Sequence, residues 1–263
     1  MKKFLLILAV AIGIAWSART CLNDGPNFNG QLDSDAMTRV MMPSDIPSQI
    51  KEYEGYTLSF NKDTHLPNWV AWELTAEEAR GKGKRNGSFS TDPSVDGCAT
   101  PDDYKHTGFD RGHMAPAGDM KWSQQAMTEC FYMTNMCPQV KSLNSGAWNT
   151  LEQKCRQRAE ADSIVYIVTG PVPGDTPLAH IGRTHVEVPA RFFKVVVSPY
   201  ANPPQGIGFL MPNAYVEGGV QHCAVTIDSV ESLTGYDFFA ALPDSIETVL
   251  ESQCNFNRWS RLH

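Results

Sequence analysis

The sequence predicts an α+β fold in which a largely antiparallel central sheet is flanked by helices. Two observations support this fold class. Segments rich in β-branched and aromatic residues recur along the chain, and segments of helical periodicity lie among them. These segments do not follow the regular βαβ alternation that a parallel sheet requires, so neighbouring strands are expected to run antiparallel.

Five segments have the composition of strands. The first two are joined through a polar turn that contains Asp63, His65 and Pro67. The later three include the runs SIVYIVT and RFFKVVVS, which are dominated by β-branched and aromatic side chains. The predicted strands are residues 56–60, 69–74, 163–169, 191–198 and 207–211.

Residues 145–161 are predicted to form a helix with an apolar stripe. The stripe consists of residues that recur every four positions, namely Ala147, Leu151, Cys155 and Ala159. Asn144 stands just before this stripe, where the N-cap of the helix is expected. A second, shorter helix is predicted over residues 245–252.

The first 18 residues have the pattern of a secretory signal peptide. Lys2 and Lys3 give a basic start, an apolar run covers residues 4–16, and small residues surround the expected cleavage point. The run is shorter than the roughly 20 apolar residues of a membrane-spanning helix. We therefore expect a periplasmic or secreted protein without stable membrane association, although an uncleaved anchor is the alternative. Residues 19–263 are expected to form one domain with a core from about 53 to 253.

The seven cysteines bear on redox state. None lies in a C-x-x-C motif, and no histidine stands near them at zinc-finger spacing, so a structural zinc site is not expected. In an oxidising compartment two or three internal disulfides are expected, and the odd number leaves at least one cysteine without an internal partner. Buried free thiols are the alternative.

Residues 109–116, with the sequence FDRGHMAP, contain the first candidate site. The unperturbed pKa of histidine lies near neutrality, so His113 can accept a proton from water. Arg111 lies two positions earlier and offers a guanidinium fork for phosphate oxygens. Taken alone, the DRGH motif is also compatible with a surface loop that holds an ordinary histidine.

A second block follows in the chain. Residues 134–139 read TNMCPQ, and Asn144, Glu152 and Arg156 come after them. At about 100° per residue, these three side chains fall in a helical sector about 120° wide beside the apolar stripe. An amide oxygen, a carboxylate and a guanidinium on one exposed edge suit a hard cation next to a phosphate. The alternative is an ordinary helix surface with an ion pair between Glu152 and Arg156.

Together these motifs resemble the DNA/RNA non-specific endonucleases, the family of endonuclease G and the secreted bacterial sugar-nonspecific nucleases. The resemblance extends from about residue 56 to 239. It is carried by the segments PNWVAWEL, FDRGHMAP, TNMCPQ, LNSGAWNTLEQKCR, VPARFFKVVV and SLTGYDFF. It implies a ββα-metal (His-Me finger) nuclease fold. It also implies an Mg²⁺-dependent hydrolase that cuts DNA and RNA with little sequence preference and leaves 5′-phosphates, and the predicted leader adds that this enzyme is exported.

The resemblance assigns the base and the metal site. By it, His113 is the general base, and Asn144 is the sole direct protein ligand of one Mg²⁺, for which Mn²⁺ can substitute. Glu152 would hold metal-bound water.

The resemblance also assigns the remaining residues. Arg111 and Arg156 would contact phosphate, and Asn135 would support the histidine region. DNA and RNA are the implied partners. A homodimer is considered as well, and the sequence identifies no inhibitor protein.

The acidic balance of the chain limits how it can bind a polyanion. The formal net charge is −7, and loss of Lys2 and Lys3 with a leader would make it −9. The whole surface is therefore unsuited to electrostatic capture of nucleic acid, and a local basic groove is required. Residues 81–87, with the sequence GKGKRNG, are expected to form a mobile loop. That loop either contacts phosphate or is a solvated turn.

Three other functions compete with this interpretation. The chain could be a non-catalytic nucleic-acid-binding protein on a nuclease scaffold, although His113, Asn144 and Glu152 are all present. It could be a phosphodiesterase for small diesters or lipids. It could also be an exported, disulfide-built interaction protein in which the motifs are accidental.

Overall fold

The computed structural model describes residues 30–261, and the predicted leader over residues 1–18 lies outside them. A seven-stranded sheet forms the centre of the fold, and every neighbouring pair of its strands is antiparallel. Numbered in chain order and given in spatial order, the strands are β12 (Ala224–Val225), β11 (Gln205–Pro212), β10 (Arg191–Ser198), β7 (Ile164–Pro171), β4 (Leu66–Thr75), β3 (Thr57–Asn61) and β2 (Gln49–Glu52). All five predicted strands belong to this sheet, which confirms the α+β fold class.

Three two-stranded ribbons accompany the sheet. They pair β1 (Val40–Met41) with β13 (Asp237–Phe238), β5 (Asp110–His113) with β6 (Met136–Gln139), and β8 (Ala179–Ile181) with β9 (Val186–Val188). The helices are α1 (Ser34–Met37), α2 (Ala76–Ala79), α3 (Gln124–Glu129), α4 (Asn149–Asp162), α5 (Ile227–Thr234), α6 (Asp244–Glu251) and α7 (Phe256–Ser260). Short 3₁₀ turns lie at Pro101–Tyr104, Met133–Asn135 and Val220–Cys223, and a π-helical segment lies at Leu143–Trp148.

Both faces of the central sheet are buried. Successive side chains of a strand point to opposite sides, and here each side packs into its own apolar cluster. On β7, Val165 and Ile167 belong to one apolar cluster, and Tyr166 and Val168 belong to another. Helix α4 packs on the first face, and helices α5 and α6 pack on the second. The uninterrupted apolar run SIVYIVT is thus the sequence of a strand covered on both sides.

The β5–β6 ribbon lies on the same face as α4. Met136 and Cys137 of β6 share an apolar cluster with Leu151 and Cys155 of the helix. The predicted apolar stripe of the helix is therefore confirmed as its buried side. Two strands followed by a helix on one face of the sheet give the ββα unit that the resemblance implies.

The N-cap prediction for Asn144 is wrong. Residues 143–148 are already helical, in a π-type segment with a break in the helical backbone angles at Gly146. Asn144 therefore lies inside the helical run, and its side chain bonds to the carboxylate of Asp110 in β5 rather than to free amide groups at a helix start. The predicted second helix, at residues 245–252, is found at Asp244–Glu251.

The expected disulfides are also wrong for the described part of the chain. Six cysteines lie within residues 30–261, and all six are free thiols: Cys98, Cys130, Cys137, Cys155, Cys223 and Cys254. Four of them are buried, and these four belong to the main apolar cluster. They act as small apolar side chains rather than as cross-links. Within the same residues, the helices are all too short or too polar to span a bilayer.

Candidate active site

A pocket of about 430 Å³ gathers most of the predicted site residues. Five of the six line it, and the sixth, Asn135, lies behind it. The full lining consists of Arg85, Arg111, His113, Pro116, Ala117, Gly118, Lys121, Asn144, Ser145, Asn149, Glu152 and Arg156. The first motif block and the helix are thus joined in one concave site.

His113 is the last residue of β5 and is only 8% exposed. Its ring packs against Phe131 at 4.9 Å and Phe89 at 5.6 Å between centroids. Its Nε2 has no hydrogen-bond partner within residues 30–261. Burial, and then the positive charge of Arg85, lowers the pKa of His113 to about 3. The imidazole is therefore neutral at working pH and able to accept a proton.

Asn135 supports the chain that follows His113. Its Oδ1 accepts a hydrogen bond from the amide of Ala115, and its Nδ2 donates to the carbonyl oxygens of Ala115 and Cys130, all at 2.9 Å. Its own carbonyl accepts from the amide of Met114 at 3.0 Å. The side chain is fully buried, so it fixes the backbone beside the histidine without reaching the pocket.

Arg111 is held at two points. Its Nη2 donates to the carbonyl oxygen of Pro101 at 2.6 Å, and its guanidinium carbon lies 5.0 Å from the ring centre of Phe89. Stacking on an aromatic ring and a backbone hydrogen bond fix the plane of the guanidinium. The side chain therefore lines the pocket in a defined orientation.

Asn144 is oriented by a residue to which the sequence alone gave no role. Its Nδ2 donates to Oδ2 of Asp110 at 3.0 Å. No hydrogen bond within residues 30–261 uses its Oδ1, although Asn144 lines the pocket. An amide whose nitrogen is committed to a carboxylate retains its carbonyl oxygen as a free ligand atom.

Glu152 occupies the same pocket, one helix turn before Arg156. Burial raises the pKa of Glu152 to about 7, against the opposing pull of the positive charge on Lys194. At neutral pH the protonated and ionised forms of this carboxyl are therefore both populated. Together with the Oδ1 of Asn144, it offers the oxygen donors that a hard divalent cation prefers.

Lys194 lies near enough to Glu152 for its positive charge to lower the pKa of that carboxyl. It comes from β10, is 1% exposed, and places its Nζ 4.6 Å from the ring centre of Trp148 and 5.1 Å from that of Trp72. Trp148 in turn donates from Nε1 to the carbonyl oxygen of His113 at 3.2 Å. The buried ammonium group of Lys194 therefore packs against Trp72 of the central sheet and against Trp148, which bonds to the backbone of His113.

Arg156 pairs with Asp119 rather than with Glu152. Its Nη1 lies 2.7 Å from Oδ1 of Asp119, and the other carboxylate oxygen accepts a hydrogen bond from Trp72 Nε1 at 3.1 Å. The alternative of a simple surface pair between Glu152 and Arg156 is therefore wrong. Asp119 is 1% exposed, so this pair anchors the guanidinium firmly at the edge of the pocket.

The glycine-rich loop contributes to the site as well. Arg85 lines the pocket, and its guanidinium carbon lies 5.4 Å from the ring centre of Phe131. The amide of Gly83 donates to the carbonyl oxygen of Lys121 at 3.0 Å, which fastens the loop beside a second basic residue of the lining. Four cationic side chains and one carboxyl line this pocket, so a local basic groove exists despite the acidic net charge.

Comparison with known proteins is consistent with this geometry. Residues 33–245 match the model of the DNA/RNA non-specific endonuclease family. Endonuclease G, mitochondrial, of Homo sapiens is 37% identical in an alignment that covers 73% of this chain and 69% of the relative. The mitochondrial nuclease of Saccharomyces cerevisiae is 33% identical in an alignment that covers 88% of this chain and 78% of the relative.

A solved structure of the EndoG/EndoGI complex matches with a TM-score of 0.69 at 32% identity, over 75% of this chain and 89% of that chain. The expected ββα-metal nuclease fold is therefore confirmed.

The prediction of a periplasmic or secreted protein is wrong. Both relatives described above are mitochondrial nucleases by name. The prediction rested on the basic start and the short apolar run of residues 1–18, which lie outside the residues that the structure describes. The family assignment does not depend on them, because the matched residues begin at position 33. The chain belongs to the DNA/RNA non-specific endonuclease family of metal-dependent nucleases.

Proposed function

We propose that this protein is an Mg²⁺-dependent endonuclease that hydrolyses phosphodiester bonds in both DNA and RNA with little sequence preference. The observation that carries the proposal is the meeting of His113, Asn144, Glu152 and two anchored arginines in one basic pocket. We further propose that a single domain, with a core over residues of about 53 to 253, performs the reaction.

The donor set of the pocket fits a hard divalent cation. Asn144 would hold the ion through Oδ1, and Glu152 would accept hydrogen bonds from its water ligands. When bound, Mg²⁺, or Mn²⁺ in its place, would supply Lewis-acid stabilisation of charge on the phosphate and the leaving oxygen. A neutral amide ligand leaves the positive field of the site intact for an anionic substrate.

His113 would act as the general base. Its neutral imidazole takes a proton from the water that attacks phosphorus, and the low pKa keeps it neutral beside Arg85. The rings of Phe89 and Phe131 hold the imidazole in place, so little reorganisation is needed. In-line attack with departure of the 3′ oxygen would leave a 5′-phosphate on the product.

The two arginines would bind the scissile phosphate. Arg111 is fixed by Pro101, and Arg156 is fixed by Asp119, so their charges are preorganised before substrate arrives. Side chains of this kind address phosphate oxygens and carry no information about base identity. For this reason we propose that the enzyme has little sequence preference and cuts both DNA and RNA.

Partner proteins are proposed by analogy alone. The matched solved structure is a complex of EndoG with EndoGI and concerns the mechanism of EndoG inhibition. We propose that a protein inhibitor can likewise bind this chain. Homodimer formation stays a prediction, which sedimentation equilibrium would test.

The test is incubation of the purified protein with supercoiled plasmid and with total RNA while Mg²⁺ is titrated against EDTA. We expect degradation of both polymers with Mg²⁺, none with excess EDTA, and a rate that falls as salt rises. A parallel assay with bis-p-nitrophenyl phosphate separates a nuclease from a small-diester phosphodiesterase. Cleavage confined to one short sequence, or hydrolysis of the small diester with neither polymer cut, would contradict the proposal.

A further inference from the structure

Three carboxylates come together on the face of the sheet opposite the candidate active site. Asp228 and Glu231 lie one turn apart on α5, and Glu251 is the last residue of α6. One oxygen from each lies within 4.8 Å of the others. Both helices belong to the second apolar cluster, whereas α4 and His113 lie on the first face.

Two glycines of β11 bring these carboxylates together. A Cβ atom at Gly206 would collide with the carbonyl oxygen of Leu250, and one at Gly208 would lie 2.8 Å from that of Thr226. The end of α6 and the start of α5 therefore rest directly on the strand backbone, two residues apart. This close approach places Glu251 beside Asp228 and Glu231.

Among residues 30–261 no cationic side chain pairs with the cluster, although the amide of Phe238 donates to Oε1 of Glu231 at 2.8 Å. Glu251 is 9% exposed, and its Oε1 is buried without a hydrogen-bond partner within residues 30–261. In the same part of the chain, none of the three carboxylates forms an ion pair. Glu251 also lies at a helix C-terminus, where the helix dipole disfavours negative charge. Burial, and then Glu231 and other nearby acids, raises the pKa of Glu251 to about 8.

Such a group requires either a shared proton or a bound cation, because an unpaired buried carboxylate is costly. We propose that Asp228, Glu231 and Glu251 bind a divalent, oxygen-seeking cation, with Ca²⁺ as the preferred ion. Ca²⁺ takes about six to eight oxygen ligands in flexible geometry, whereas Mg²⁺ demands a near-ideal octahedron and is usually held by only one or two carboxylates. The exposed Asp228 leaves room for water to complete the coordination shell. The ion joins α5 to α6 and is separate from the catalytic metal.

The test measures thermal unfolding of the full chain carrying Asn144→Ala, so that the proposed catalytic metal does not contribute. In that background we compare Glu251→Gln, Glu231→Gln and Asp228→Asn with the matched control Asp244→Asn, an exposed acid at the other end of α6. Calcium at about 100 times its Kd should raise the Tm of the parent and of the control by about 5 °C. The three cluster variants should lose this shift, and calorimetric titration should show that one calcium site is lost.

Because Asp228 is exposed, Asp228→Asn is expected to fold even if the buried substitutions do not. The proposal is overturned if calcium leaves the Tm of the parent unchanged, or if the shift persists in Asp228→Asn. A larger shift with Mg²⁺ than with Ca²⁺ overturns the choice of ion. A Glu251→Gln protein that melts at or above the parent's temperature, with no calcium response in either, would show a shared proton instead. Nuclease activity is not a readout here, so failure of this site leaves the proposed function untouched.

Discussion

The side-chain amide of Asn144 donates to Oδ2 of Asp110 at 3.0 Å, and this bond links the DRGH strand to the helical segment before α4. The two residues are 34 positions apart in the chain. Asp110 thereby fixes which end of the amide is free. It acts as a positioning residue for the proposed metal ligand.

Replacement of Asp110 by alanine should lower activity by about 10- to 100-fold, because partners of metal ligands usually contribute that much. The free amide of Asn144 can then rotate, so the Mg²⁺ concentration for half-maximal rate should rise. Steady-state assays over a range of Mg²⁺ measure both effects. Asp102→Ala, which removes an exposed partner of Lys105, is the control and should stay near wild type. An Asp110→Ala enzyme with unchanged Mg²⁺ dependence would refute the positioning role.

Replacement of Asn144 itself should abolish most activity and leave the fold intact. Asn144 lies within a helical run, where alanine is at least as favourable as asparagine. The free energy of unfolding should therefore change by no more than about 1 kcal/mol. Circular dichroism melting and plasmid cleavage provide the two readouts. A folded Asn144→Ala protein with near-normal turnover would show that the metal ligand lies elsewhere.

The acid limb of the pH–rate profile should belong to Glu152 rather than to His113. The pKa of His113 is lowered to about 3, so this base stays neutral throughout the weakly acidic range. The pKa of Glu152 is raised to about 7, so its carboxylate is lost as pH falls through neutrality. We therefore expect kcat/KM to fall below pH about 7, and the midpoint to move to lower pH as Mg²⁺ rises, since the cation competes with the proton.

Initial rates at constant ionic strength, with and without Glu152→Gln, test this assignment. The variant should be slower and should lack the limb near neutrality. If the limb stays at the same pH in Glu152→Gln, another group sets it.

Lys194→Met should move the same acid limb to higher pH. The positive charge of Lys194 lowers the pKa of Glu152, so its removal makes the carboxyl harder to ionise. Loss of a cation between two indole rings should also lower the free energy of unfolding by about 1–2 kcal/mol. Lys154→Met is the matched control, because its Nζ lies 5.6 Å from the ring centre of Phe256 on the other side of α4. An unchanged acid limb in Lys194→Met would mean that this lysine is only structural.

The parts of the fold that the sequence predicted well depend on local pattern. The runs SIVYIVT and RFFKVVVS became central strands because β-branched and aromatic side chains suit a sheet buried on both faces. Leu151, Cys155 and Ala159 of the predicted apolar stripe are likewise buried on one side of α4, and Ala147 packs half-buried against the same cluster from the π-helical segment. The motif residues converged on one pocket because the β5–β6 ribbon and α4 pack on the same apolar cluster.

The parts that the sequence did not predict depend on long-range contacts. Asp110, Asp119 and Lys194 gain their roles only from partners far away in the chain. Lys194 stands in the run RFFKVVVS, where no local pattern marks it, and the fold buries it against Trp72 and Trp148. The N-cap at Asn144 failed because helical periodicity cannot reveal a π segment that begins earlier. The disulfides failed because they followed from an assumed compartment rather than from the cysteines themselves.

The low pKa of His113 has causes that the motif alone does not show. Burial lowers it most, and the positive charge of Arg85 comes second. Arg85 belongs to the glycine-rich loop, whose place in the pocket no local pattern reveals.

The role of His113 is tested most directly by single-turnover cleavage and DNA affinity measured on the same His113→Ala protein. Removing a general base should slow cleavage by about 10²- to 10⁴-fold. Affinity should hold within a few-fold, because Arg111 and Arg156 keep their own anchors on Pro101 and Asp119. Cleavage within a few-fold of wild type at unchanged affinity would show that His113 is not the base.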